Sequence, residues 1–177
     1  MKMAKFTIKN ARLSFPSLFN RAKFDGVETK FEGTLLLDKD KDAEQIAQIN
    51  KRIENFLKEK FPAGAPKSVK ITVFTDGSTK DYDGYENAMA FKGTSNKRIT
   101  VVDRDRTPLI EEDGKPQAGD YVNAIVDLWY SDHPKGGKQV LGNLMGVQFV
   151  KEGERFGAEG AGADDFDDLG EDESFDI

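Results

Sequence analysis

Cysteine is absent from the 177 residues, and histidine and tryptophan occur once each. Without thiols there is no disulfide framework and no thiolate metal site, a composition that fits a reducing compartment. The one histidine, His133, stands beside Pro134 in a turn-rich stretch. Imidazole-based catalysis is therefore not expected, and neither is a cofactor or a metal. No apolar run approaches the roughly 18 residues of a membrane span, and "MKMAKFTIKN" lacks the apolar stretch of a secretion signal. The chain reads as a soluble cytoplasmic protein with no membrane association.

Base is missing from one region. From Gly157 to Ile177 there are nine acids and no Lys or Arg. Removing those nine from the total of 32 leaves 23 acids against 26 bases in residues 1–156. A body of about +3 thus carries a tail of −9, and the net charge of −6 describes neither. The expected organisation is a globular domain over 1–156 and a flexible acidic segment over 157–177. Its last part, "ADDFDDLGEDESFDI" (163–177), is too polar to build a core, yet Phe166 and Phe175 are set into it among Asp164, Asp165, Asp167, Asp168, Glu171, Asp172 and Glu173. Those rings point to a partner protein bound by the tail, and a plain solubility appendage is the alternative.

The body is mostly period-2 sequence. "KFTIKNARLSF" (5–15) alternates as a strand with a break near Asn10, and Pro16 is expected to end it. "KFEGTLLL" (30–37) puts Phe31, Leu35 and Leu37 on one face. Over 42–60 the period changes: Ile46, Ile49, Ile53, Phe56 and Leu57 recur at three- and four-residue steps, which predicts one long amphipathic helix with Asp42 as its N-cap. Then follow "VKITVF" (69–74), a polar loop with two tyrosines (76–87), "AMAFK" (88–92), "KRITVV" (97–102), and a hairpin of 121–130 with 140–150. Six or seven short strands with regular turns and one helix predict a mainly β fold, a small barrel or sandwich.

Parity assigns faces. In "YVNAIVDLWY", Val122, Ala124, Val126, Leu128 and Tyr130 make the core face, while Tyr121, Asn123, Ile125, Asp127 and Trp129 mix aromatic and polar groups as a wet binding face does. A second face half-covered by a loop fits the same pattern. In "VKITVF", Lys70, Thr72 and Phe74 are expected outward, opposite Val69, Ile71 and Val73. Bases cluster nearby: Lys92, Lys97, Arg98, Arg104 and Arg106 within 92–106, and Lys5, Lys9, Arg12, Arg21 and Lys23 within 5–24, where no acid occurs and Phe6, Phe15, Phe19 and Phe24 are interleaved. Cations that neutralise phosphates beside rings that stack bases are the requirements of a groove for single-stranded nucleic acid. The candidate DNA-contacting set is Lys9, Arg12, Lys70, Phe74, Tyr82, Tyr85, Lys92, Lys97, Arg98, Arg104, Tyr121 and Trp129.

Other motifs fail on spacing. "LDKDKDAEQ" begins like a calcium loop, but its sixth position is Ala43 and its twelfth Ile49. "GAPKS" (64–68) lacks the spacing of a phosphate loop. Asp76, Asp81, Asp83, Asp103 and Asp105 could supply a two-magnesium nuclease, although loop aspartates are commonly turn formers.

The ordered segments "NARLSFPSLF" (10–19), "GTLLLDK" (33–39), "TDGSTKDYDGYENAMAFKGTSNKRITVVDRD" (75–105), "GDYVNAIVDLWY" (119–130) and "LGNLMGVQFVKEGERFG" (141–157) resemble a family of phage single-stranded DNA-binding proteins. The resemblance implies an OB-fold barrel that coats single strands during phage replication and recombination in the infected bacterial host. It also implies an acidic C-terminal tail ending near an aromatic residue, a place Phe175 takes. The helix at 42–60 departs from the usual OB arrangement, where the helix follows the third strand. On this reading the tail competes with DNA for the groove, over a reach of about 25 Å, and recruits phage or host replication and recombination proteins. A homodimer is compatible with it. The alternative of a different class is a protein-binding adaptor whose tail mimics DNA.

Overall fold

A computed structural model describes residues 5–156 and 166–170. Its strands are β1 (Phe6–Ser17), β2 (Lys23–Phe24), β3 (Val27–Glu28), β4 (Phe31–Asp38), β5 (Lys70–Ile71), β6 (Phe74–Asp76), β7 (Ala88–Ser95), β8 (Thr100–Val102), β9 (Tyr121–His133) and β10 (Gly137–Lys151), with one helix, α1 (Ala43–Lys60), after β4. Five strands close on themselves in the order β1, β4, β7, β10, β9 and back to β1, every contact antiparallel except β7 with β10. This is an OB-type barrel.

The parallel closure depends on two facing glycines. Gly93 pairs with Gly142. A Cβ on Gly142 would stand 2.7 Å from Val73 Cγ2 and 2.9 Å from Phe91 Cε1, and one on Gly93 would stand 2.8 Å from Leu144 Cβ. The inward residues Leu13, Leu35, Phe91, Val126, Val140 and Leu144 are fully or almost fully buried, so the barrel is filled by side chains and has no lumen.

Helix α1 plugs one mouth of the barrel through Ile49, Ile53 and Phe56. It lies between the second and third barrel strands, the departure visible in the sequence. Asp42 is the N-cap residue, but its carboxylate accepts from the Asp38 N–H rather than from the helix. Gln45 pins α1 to β1: the Lys9 N–H donates to Gln45 Oε1 at 2.7 Å and Gln45 Nε2 donates to the Lys9 carbonyl at 2.9 Å. The break expected near Asn10 is real. Asn10 has φ +54°, and the β1–β9 register shifts between Ile8 and Ala11.

Several boundaries differ from expectation. β1 runs past Pro16 to Ser17, with a second irregularity between Ser14 and Ser17. "VKITVF" is two short strands, because β5 pairs with β10 while β6 pairs with β7. The hairpin strands β9 and β10 are longer than 121–130 and 140–150, which puts His133 at the end of β9, its Nδ1 accepting from the Lys135 N–H. Among the described residues no helix is long and apolar enough to cross a membrane.

Candidate nucleic-acid interface

Register alone lays out one row on the outer side of the barrel, in which Ser14 and Thr34 are buried and Lys92 is exposed. Ser14 on β1 pairs with Thr34 on β4, and Thr34 with Lys92 on β7. Lys92 and Leu141 each precede by one residue the Gly93–Gly142 pair, and Leu141 pairs with Trp129 on β9. Strands spaced about 4.8 Å apart make this row about 19 Å long. Strand tilt makes it climb one side of the barrel rather than encircle it. A parallel row runs beside it through Glu32, Thr94, Asn143 and Asp127, with Asn143 Nδ2 donating to Asp127 Oδ1 at 2.7 Å.

Aromatic rings stand at both ends. At the Ser14 end, Phe15 and Tyr82 meet edge to face with centroids 4.9 Å apart, and both are about half exposed. Phe15 sits in the β1 irregularity at φ +46°, a backbone region that bulky residues rarely adopt. Tyr85 lies beneath them, its ring 5.2 Å from that of Tyr82 and its hydroxyl donating to Ser14 Oγ at 3.0 Å. Burial raises the Tyr85 phenol above its usual range, so it remains a neutral donor. The loop carrying the tyrosines is fixed where it leaves β6. Asp76 accepts from Lys39 at 2.7 Å and from the Ser78 N–H at 2.9 Å, and these bonds, that from Lys39 foremost, hold its carboxyl at about 2. At the far end Trp129 lies under the Lys30 ammonium, 5.6 Å from the ring. Its indole N–H is buried and meets no acceptor among the described residues.

Cations rim the row. Lys92 stands within it, loosely paired with Glu32 at 3.5 Å. Lys97 and Arg98 project from the β7–β8 connection, and Arg98 Nη1 donates to the Phe19 carbonyl of the β1–β4 connection. Arg21 ties the same two connections together through the Asn96 carbonyl. The β2–β3 hairpin projects from the β1–β4 connection with Phe24 and Val27 exposed. Lys70, exposed on β5, lies beside the β9–β10 turn through the pairing with Gln139.

Two sequence-derived candidates, Phe74 and Tyr85, are buried and so corrected, and two others, Arg12 and Arg104, are engaged by backbone carbonyls. Phe74 is in the core against Phe91, because the break at Thr72–Val73 shifts the parity by one and buries Val73 and Phe74 together. Tyr85 is 3% exposed and supports the shelf rather than forming its surface. Arg12 is a clamp: Nε donates to the Gly119 carbonyl, Nη2 donates to the Glu154 carbonyl, and the guanidinium stacks 4.0 Å from the Phe156 ring. Arg104 donates to the Val150 carbonyl, which ties down the β8 end. Lys9 and Tyr121 are accessible but lie away from the row, and Lys151 covers the Tyr121 ring at 4.7 Å. Of the candidates, the row and its rim unite Lys70, Tyr82, Lys92, Lys97, Arg98 and Trp129.

The aspartates weighed for a nuclease do not converge. Asp76 is tied to Lys39 and Asp103 to Lys115, and among the described residues no three acids or histidines are grouped to hold a metal. In the tail, Phe166, Asp167 and Asp168 are exposed, while Asp164, Asp165, Glu171, Asp172, Glu173 and Phe175 lie outside the described residues. Sequence reading missed Phe15 and Lys30 as site residues. The only hint of Phe15 was its place in the acid-free stretch, because two irregularities in β1 defeat simple alternation.

An OB barrel with a cation-rimmed, aromatic-ended outer face has the architecture of an oligonucleotide-binding module. The chain belongs to the family of the ssDNA-binding protein of Enterobacter phage Enc34, whose profile matches residues 4–176. "Putative protein p50" of Acyrthosiphon pisum secondary endosymbiont phage 1 is 32% identical over an alignment 175 positions long, which covers 93% of this chain and 94% of that protein. The solved structure of the bacteriophage Enc34 single-stranded DNA-binding protein in complex with ssDNA matches with a TM-score of 0.73 and 26% identity, over 86% of this chain and 89% of that one. The gp2.5 single-stranded DNA-binding protein of bacteriophage T7 matches with a TM-score of 0.56 at 17% identity, over 95% of each chain, a likeness of fold.

Proposed function

We propose that this chain coats single-stranded DNA without reading its sequence, during phage replication and recombination in the cytoplasm of the bacterial host. The observation that carries the reading is the single cross-strand row with Lys92 at its middle, Phe15 and Tyr82 at one end and Trp129 at the other. Rings stack any base, because every base has a π face. Lys92, Lys97, Arg98, Lys30 and Lys70 neutralise phosphates, and the counterions they displace drive binding. Coating needs neither a recognition helix nor side chains aimed at base edges. The bodies of DNA-bound copies occupy the strand, while residues 157–177, with nine acids, compete electrostatically for the barrel's cations and present Phe166 or Phe175 to replication and recombination proteins.

A gel shift with oligo-dT and with a duplex of equal length, titrated with salt, tests the reading. The expected result is retention of the single strand that falls steeply as salt rises, with weaker retention of the duplex. Equal retention of both, or none of either at low salt, overturns it.

A further inference from the structure

A hollow of about 490 Å³ adjoins the Phe15–Tyr82 pair, and a third ring lines it with them, that of Phe156. Phe156 ends the strap of residues 152–156 that follows β10. Its ring rests on the loop that carries the tyrosines. Gly84 lies in that loop at φ +84°, a left-handed conformation that glycine adopts freely. A Cβ there would collide with Cζ and Cε1 of Phe156. The ring therefore touches the backbone of the turn that the Tyr85 N–H closes on the Tyr82 carbonyl at 3.2 Å. It also packs against the small buried cluster of Leu36, Tyr85, Ala88 and Ala90.

The ring is fixed in its turn by the strap. Its own N–H donates to the Ala118 carbonyl. The Arg12 guanidinium lies 4.0 Å from its centroid, and Arg12 is held by the Gly119 and Glu154 carbonyls. The preceding residue, Arg155, pairs with the fully buried Asp120, which also accepts from the Gly153 N–H at 3.3 Å. A Cβ on Gly119 would collide with the Glu154 carbonyl, and one on Gly153 with the Gly119 carbonyl, so the strap lies close against the residues before β9. A ring that stacks bases must keep a face open to solvent and cannot be clamped on both sides. Its orientation has to come from the backbone that carries it and from what that backbone rests on.

We propose that Phe156 is a positioning residue for base stacking: held by the strap, its ring fixes the Tyr82–Tyr85 turn and through it the presentation of Tyr82 to the strand. The inference rests on the coating reading and adds to it a residue that acts through Tyr82.

The test is a double-mutant cycle on full-length protein, with oligo-dT affinity read by Trp129 quenching. Phe156→Ala should weaken binding by about 5-fold, the lower end of what one stacked base is worth. In a Tyr82→Ala background the same substitution should change affinity by less than about twofold, because residues that act through one another are not additive. Equal losses in the two backgrounds, or none in either, overturn the proposal. Phe156→Leu keeps bulk against Gly84 without a π face and should bind nearly as the parent does. A loss as large as that of alanine would place the ring on the DNA itself and overturn the proposal too. Without DNA, the Gly84 amide and Tyr82 ring resonances should move in Phe156→Ala while the buried Val126 methyls stay in place, and unmoved Tyr82 resonances count against the inference. A parent that does not bind oligo-dT, or a Tyr82→Ala variant that binds like the parent, fails the coating reading and the inference with it, and the resonances tell that failure from a loose turn.

Discussion

Phe15 is exposed because the backbone of β1 is irregular at both Asn10 and Phe15, each at positive φ. A strained bulky residue is kept where the surrounding structure over-determines it. Here Tyr85, hydrogen-bonded to Ser14, props the shelf from below. Phe15→Ala and Tyr82→Ala should each weaken oligo-dT binding by roughly 5- to 150-fold, the equivalent of about 1–3 kcal/mol per stacked base, with the thermal midpoint nearly unchanged. Phe74→Ala should do the reverse. It empties a core position against Phe91 and should cost about 3–5 kcal/mol of stability by urea melt. Folded protein retaining full stability without Phe74 would contradict its placement in the core.

Closure of the barrel is decided where β7 and β10 meet in parallel. This is the parallel contact among the five barrel strands; it pairs Gly93 with Gly142, and a Cβ on Gly142 would crowd Val73 and Phe91 while one on Gly93 would crowd Leu144. Gly142→Ala should therefore destabilise by about 1–3 kcal/mol through overpacking against Val73 and Phe91. The same row crosses this contact, so the melt midpoint and oligo-dT affinity should fall together. A variant as stable as the parent would show that the closure is looser than described. The strap that follows β10 depends on Asp120, fully buried, which accepts from the Gln117 and Gly153 N–H groups and pairs with Arg155.

At the scale of the molecule the charge is divided between two parts. Removing residues 158–177 takes away nine acids and no base, and moves the net charge from −6 to +3. At low ionic strength the truncated protein should bind oligo-dT more tightly than the full chain, and the advantage should shrink as the screening length falls to about 8 Å near physiological salt. Equal affinities in low salt would remove the tail from the electrostatics of binding. The same truncation should lower recovery of replication proteins from infected-cell extract, the readout for the recruiting role proposed for the tail.

Much was legible in the sequence because it depends on local order. The 3.6-residue period of α1, the alternation of β9, the bulge at Asn10 and the contrast between a basic body and an acidic tail are all properties of neighbouring residues. The row was not legible, because it joins Ser14, Thr34, Lys92, Leu141 and Trp129 from five strands through registers that only pairing sets. Nor was the burial of Phe74 or the capture of Arg12 by the Gly119 and Glu154 carbonyls. In a closed barrel each outward position acquires its neighbours from distant sequence, so the chain determined which rings and cations were available, and the closure decided which of them face the same solvent.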